Sequence, residues 1–308
     1  MGASPGAGLR SSRPTVRTTG TPTFGVAADG TLLVTFIKAG LYLEGKWDRE
    51  KSRGGRTGIH VARSAGGGAT WSRAEPLVGQ GNERWSGAAA RGPDAPHVYC
   101  SPYGKMVTLP DGTMLMGYGI VQYGGPYAKA AIVLRSHYTG RTWVDPVTIA
   151  EGFTEPALFH LGDGRMVAML RRQGGSLHQC DSADSGYTWS EPRAVTASYE
   201  YPGDVIRLQD GRLLLTFGHR EPPHGVQGML SRDEGRTWDG DRRLFLVGDA
   251  TYDCGYPKSV QRDDGTIVTV YYSENLPSGP EDWTGWQTRK RRIAVHAAAL
   301  HYRPEDLP

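Results

Sequence analysis

Tyr256 stands eight residues before Asp264 in CGYPKSVQRDDG, and Glu155 stands eight before Asp163 in TEPALFHLGDG. Arg171 follows Asp163 by the same interval. Equal offsets from equivalent Asp-Gly turns put these side chains at equivalent points of a repeat, where they can converge. A tyrosine hydroxyl, with an ordinary pKa of about 10, is a poor nucleophile near neutrality. A carboxylate within hydrogen-bond reach can take its proton as it attacks, so Glu155 is the expected base for Tyr256. Arg171 is the expected anchor for an acidic or polar substrate group. The structural alternative is a Glu155–Arg171 ion pair that only orders the interior.

The elements that must position these residues are two interleaved repeats. One is an Asp-Gly turn followed by an apolar strand, at Asp29, Asp111, Asp163, Asp210 and Asp264. Asp-Gly between β-type runs signals a hairpin, and a type I′ turn with positive φ at both central residues is expected. The other is Ser-x-x-x-Gly-x-Thr-Trp, at 64–71, 136–143, 182–189 and 231–238, with an aspartate inside the last two copies at Asp184 and Asp233. Gly permits the turn, Ser, Thr and Asp bond its backbone, and Trp is expected to bury itself between neighbouring sheets. One hairpin of each kind makes a four-stranded antiparallel unit, the size of a propeller blade.

Five such units are legible, starting near Thr21, Cys100, Thr154, Tyr201 and Tyr256. The last has no second-type hairpin; 293–303 supplies its third strand, and the segment around 15–19 is expected to supply its fourth. This gives an all-β propeller over 21–308 as one domain, with 1–20 closing the last blade. Both kinds of turn fall on one face of the disc, so the starts of first strands and the ends of second strands ring the opposite mouth of the channel. Tyr103, Glu155, Arg171 and Tyr256 belong to that ring, with Arg172, His219 and Arg220 one or two positions along the same rim and Asp253 just ahead of Tyr256. Tyr103, Tyr118, Tyr123 and Tyr127 would be either a sugar-stacking wall or ordinary turn packing. His219 and His224 would be either loop hydrogen-bonders or bases.

The Ser-x-Asp-x-Gly-x-Thr-Trp copies resemble the Asp box of the sialidase superfamily of bacterial neuraminidase repeat proteins, and the resemblance runs from about Pro22 to Arg303. It implies a propeller of six blades, one of them hidden around 79–96. It also implies retaining hydrolysis of a terminal, acidic sugar, with Tyr256 in the nucleophile strand and Glu155 and Arg171 in the strand pair of its base and one clamp arginine. A neutral tyrosine suits an anomeric carbon that bears a carboxylate, which would repel a charged attacker. The general acid is implied on the 2–3 loop of the first blade, where Asp48 stands, with Glu44 and Asp94 as competitors. The chain departs from the pattern at two of three arginines: TPTFGVAADG has none, and EPPHGVQGML stands where the third is implied. Arg220 or Arg172 would have to replace them.

Composition narrows the remaining classes. The chain has 308 residues, 43 of them glycine, and a net charge of +3 from 35 basic and 32 acidic residues with one short basic run at 289–292, so no nucleic-acid partner is indicated. Cys100, Cys180 and Cys254 lack the spacing of a disulfide framework or a metal site. No cofactor and no membrane partner is expected, and the N-terminus shows no leader, which points to a cytoplasmic protein. Two other classes stay open: a polysaccharide lyase acting on a uronate, using His219, His224 or His97, and a non-catalytic glycan-binding propeller.

Overall fold

The computed structural model describes residues 15–18, 22–43, 46–47, 59–77, 97–123, 128–172, 174–248, 252–275 and 294–307. The Asp-Gly turns fold the chain into successive meanders. The first comprises β2 (Thr23–Val26), β3 (Leu32–Leu43), β5 (Ile59–Ser64) and β6 (Glu75–Pro76), with β4 (Lys46–Trp47) paired to the end of β3. The second comprises β7 (His97–Thr108), β8 (Met114–Tyr123), β9 (Ala128–Ser136) and β10 (Val144–Glu151). The third holds β11 (Thr154–Gly162), β12 (Arg165–Arg171), β13 (Leu177–Ser182) and β14 (Arg193–Ala194). The fourth holds β15 (Glu200–Arg207), β16 (Leu213–His219), β17 (Gly225–Ser231) and β18 (Leu244–Val247). The fifth has β19 (Cys254–Gln261), β20 (Ile267–Asn275) and β21 (Ala294–Tyr302).

Within each blade the pairing is antiparallel, and one parallel bridge, Phe24 to Lys105, joins the first two. The first strands β2, β7, β11, β15 and β19 pack in succession, as the inner strands of a propeller do. Apolar clusters fill the spaces between blades: Leu33 with Met116 and Trp143, Leu115 with Met166 and Leu170, Leu177 with Leu215 and Phe217, and Leu214 with Leu230 and Ile267. The strands of the second, third and fourth blades therefore carry apolar residues on both faces, because each of these sheets is covered on both sides.

Two of the expectations change. The strand β1 (Thr15–Thr18) pairs with β3 at Tyr42, Leu41 and Lys38, not with β21, so it extends the first blade and does not complete the fifth. Only the Asp163-Gly164 turn has positive φ at both residues; at the other four Asp-Gly turns the glycine alone is left-handed. There the aspartate carboxylate accepts the N–H two residues on, as Asp29 does from Thr31 at 2.9 Å, and a three-residue turn results. The segment expected to hide a sixth blade, 79–96, lies outside the described residues.

The Ser-to-Trp turns are held as their residue types demand. Ser182 Oγ accepts from Gly186 N at 2.9 Å, and Asp184 accepts from Thr188 N at 2.8 Å and Thr188 Oγ1 at 2.6 Å. The two copies without aspartate keep the serine bond, Gly68 N to Ser64 Oγ and Gly140 N to Ser136 Oγ. Their tryptophans differ in burial: Trp143 is fully buried, Trp189 and Trp238 are half-buried, and Trp71 is exposed, contrary to the expectation for all four.

Candidate active site

Register fixes which end of each sheet carries chemistry. In the third blade Ser182 of the Asp box pairs with Met166, while Arg171 pairs with Leu177 at the far end; in the fourth, Ser231 pairs with Leu213 and His219 with Gly225. Glu155 and Arg171 thus sit at the mouth opposite the Asp boxes.

A repeated bulge aims the side chains. In β11, Glu155 and Pro156 oppose a single β12 residue between the pairs Thr154–Arg171 and Ala157–Met169. In β19, Tyr256 and Pro257 do the same between Gly255–Tyr272 and Lys258–Val270, and in β15 so do Tyr201 and Pro202. Such a bulge bends the strand and re-aims one side chain. Glu155 and Tyr256 occupy the left-handed region, with φ of 52° and 51°, which costs non-glycine residues of order 1–3 kcal/mol and is concentrated at functional sites. Gly117 makes room for the third-blade bulge: a Cβ there would lie 2.2 Å from the Pro156 carbonyl oxygen.

The result is a compact cluster spanning two blades. Tyr256 donates its hydroxyl hydrogen to Glu155 Oε1 at 2.7 Å. Arg171 Nη1 lies 2.9 and 3.1 Å from the two Glu155 carboxylate oxygens and 2.9 Å from the Tyr256 hydroxyl. Burial, then the Glu155 charge, pushes the Tyr256 phenol well above 10, so it rests neutral. Burial alone would lower Arg171, but Glu155 and Tyr256 outweigh it and raise its pKa, so the guanidinium stays charged.

A second set of groups borders this cluster. Arg220 is buried, donates to the Cys254 carbonyl at 3.2 Å and lies 3.8 Å from Asp253. Its guanidinium is 5.4 Å from the Tyr201 ring and 5.9 Å from those of Tyr252 and Tyr256, and its Nε has no hydrogen-bond partner. Tyr272 donates to Asp253 and its ring stands 5.6 Å from that of Tyr256. Burial, then that hydrogen bond, raises the Tyr272 phenol.

The structure brings Tyr256, Glu155, Arg171, Arg220 and Asp253 together. Tyr103 packs edge-on against Tyr256 at 6.0 Å between centroids but is fully buried, a floor beneath the site and not a surface a sugar can touch. Arg172 is exposed in the turn after β12, and no described hydrogen bond ties it to the cluster. His219 ends β16, its Nδ1 3.1 Å from buried Glu200 of the same blade, which also takes Arg243. Asp48, Glu44, Asp94 and Tyr127 lie outside the described residues. Tyr118 is buried, and His224 packs against Tyr252 at 6.2 Å.

The sequence reading missed Tyr201, Tyr252, Tyr272 and Lys258. Tyr272 carries a legible signal, eight residues after Asp264, the offset that selected Arg171. Tyr201 precedes Pro202 as Glu155 precedes Pro156 and Tyr256 precedes Pro257, so the residue before a strand-opening proline marks the bulge.

Comparison with known proteins bears on the fold and the family. The model of the BNR repeat-like domain matches residues 7–269. No curated protein matches the chain. A Dyadobacter fermentans protein of unknown function superposes with a TM-score of 0.65 at 21% identity, over 91% of this chain and 75% of its own. A Hadza microbial sialidase superposes at 0.59 with 19% identity, over 82% of this chain and 50% of its own. A Trypanosoma rangeli sialidase mutant with trans-sialidase activity does so at 0.58 with 14% identity, over 86% of this chain and 44% of its own. The chain spans half or less of those two sialidases, and at these identities the likeness shows the fold. The four Ser-to-Trp turns, the ring of inner strands and the match over most of the sequence make the chain a member of the BNR repeat-like domain family with the sialidase type of β-propeller.

Proposed function

We propose that the protein is a retaining exo-glycosidase that hydrolyses a terminal acidic sugar through Tyr256. The observation that carries this reading is the 2.7 Å hydrogen bond from the Tyr256 hydroxyl to Glu155, with Arg171 seated on both. A buried phenol with a raised pKa attacks only if its proton leaves as the new bond forms, and Glu155 is within reach to take it. The Tyr256 oxygen bonds to the anomeric carbon, the bond to the departing oxygen breaks, and that oxygen receives a proton from a general acid, the role the resemblance gives to Asp48. Water then attacks the same carbon and gives up one proton to the deprotonated general acid, restoring it, while the tyrosine oxygen departs and takes its proton back from Glu155. Arg171 stabilises the negative charge that passes between phenol and carboxylate. The contacts of Arg171 all fall on Nη1, so its Nη2 and Nε, with Arg220 over the same Tyr201 ring, are the cationic donors for a substrate carboxylate, which favours an acidic sugar.

A lyase would need a histidine base beside the tyrosine. No described contact joins His219 or His224 to Tyr256; His219 sits on Glu200 of its own blade and His224 against Tyr252, and this favours hydrolysis. The test is incubation with a panel of glycans and aryl glycosides carrying terminal sialic and uronic acids, read by mass and ultraviolet absorbance. Release of an intact acidic monosaccharide is the expected result. An unsaturated uronate would establish lysis, and binding without any product would establish a glycan-binding propeller.

A further inference from the structure

Below the Tyr256 cluster the channel is plugged by charge. Lys105 Nζ lies 2.8 Å from Asp204 Oδ2 and 2.7 Å from the Ser259 carbonyl oxygen. Lys258 Nζ reaches the same carboxylate only at 3.5 Å and the Tyr103 hydroxyl at 3.4 Å, and it stands 4.5 Å from the centroid of the Tyr103 ring. Asp204 is buried and also accepts from Ser259 N at 2.9 Å. Two ammonium groups therefore share one carboxylate. The nearby Glu155 charge is already matched by Arg171 at 2.9 Å. Lys258, with three donors and only long contacts, is the cation left without a full counter-ion.

Beside this plug lies a cavity of about 730 Å³ lined by Phe24 of the first blade, Lys105 of the second, Arg207 of the fourth, which is already paired with Glu234 at 2.6 Å, and Lys258, Val260, Val268 and Val270 of the fifth. Phe24, Val260 and Val270 are 45%, 55% and 45% exposed there. Among the described residues no buried apolar cluster joins the fifth blade to the first, unlike every other neighbouring pair. The cavity thus combines apolar walls with one unmatched positive charge, and Tyr103 and Lys258 separate it from the Tyr256 mouth.

We propose that this lower cavity binds a small amphiphilic anion, an aliphatic carboxylate of medium chain length, with its carboxylate on Lys258 and its chain against Phe24, Val260 and Val270. The charge asymmetry selects an acid over the corresponding alcohol, and the apolar walls select a chain over a bare anion such as acetate. The site is independent of the glycosidase reading. Asp204, Lys105, Glu155 and Tyr103 are the titratable groups facing Lys258; burial lowers the lysine pKa, Asp204 opposing it. Binding therefore weakens as pH rises through that lowered value.

Calorimetric titration of the full chain with decanoate, decan-1-ol and acetate, below micellar concentrations, tests this. Decanoate is expected to bind one per chain, about tenfold or more tighter than decan-1-ol, as for a charge-assisted contact, with acetate undetectable. Lys258→Met should abolish the preference for acid over alcohol. Val270→Trp, on an exposed wall position that folding tolerates, should block both ligands and keeps the test decisive if Lys258→Met does not fold. Equal affinity for acid and alcohol, decanoate binding unaffected by Val270→Trp, or no binding at all would overturn the proposal. So would a dimer in solution that Val270→Asp dissociates, because the cavity would then be a face between copies.

Discussion

The Tyr256 hydroxyl donates to Glu155 Oε1 at 2.7 Å across a sequence separation of 101 residues, and both residues hold left-handed backbone at the same bulge of their respective strands. Because the pair acts as a unit, its losses should not add. Tyr256→Phe and Glu155→Gln are each expected to lower turnover about a hundredfold or more, in the range of a lost acid–base partner, with folding intact by circular dichroism. The double variant should be little slower than either single one. A product of the two losses would show that they act separately.

Arg220 is packed among tyrosine rings with its Nε unpartnered, so its planar fork matters as much as its charge. Arg220→Lys should raise KM for an acidic substrate about tenfold, as expected for the loss of a bidentate contact, and change kcat little. Equal losses in kcat and kcat/KM would instead place Arg220 in the transition state.

Burial ranks the turn tryptophans. Trp143→Ala should destabilise the fold by about 3–5 kcal/mol in urea titration, as for other large-to-small core changes. Trp71→Ala, at a side chain 42% exposed, should cost about 0.5 kcal/mol or less. Trp189 and Trp238 should fall between them, and all four should keep activity per folded molecule because their turns lie at the end of the sheets away from Tyr256.

Acid stability has a local contributor in the Asp box. Slight burial works against ionisation of Asp184, but bonds from the Thr188 hydroxyl and N–H and from Ser182 outweigh it and hold its pKa at about 2, below the ordinary 3.8. A carboxylate depressed in the folded state stabilises the fold above its unfolded pKa, and that stability disappears as pH falls through the folded value. Asp184→Asn should therefore lower the melting temperature at neutral pH, where the carboxylate's contribution is fully present, and flatten its decline between about pH 4 and pH 2.

Much of this arrangement is legible in the sequence because turns are local. Asp-Gly and Ser-x-x-x-Gly-x-Thr-Trp state their own geometry in a few residues, and counting from them located Glu155, Arg171 and Tyr256. What counting misses is where the bulge falls: Tyr201 stands nine residues before Asp210, not eight, because the β15 bulge lies one residue pair farther from its turn than the β19 bulge. Burial was equally illegible. Tyr103 shares the offset of Glu155 and Tyr256, yet neighbouring blades cover it completely. The pairing of β1 with β3 is a long-range choice that four residues of TVRT cannot announce.

The central claim is a covalent bond to Tyr256. A fluorinated analogue of the released sugar, with a good leaving group, slows breakdown of a glycosyl intermediate more than its formation; the protein is incubated with it, digested and mapped by peptide mass. The predicted result is one added glycosyl group on the peptide containing Tyr256, absent in Tyr256→Phe and lost on prolonged incubation as activity returns. A label on Glu155, or catalysis that inverts the anomeric centre with no labelled peptide, would contradict the tyrosine nucleophile.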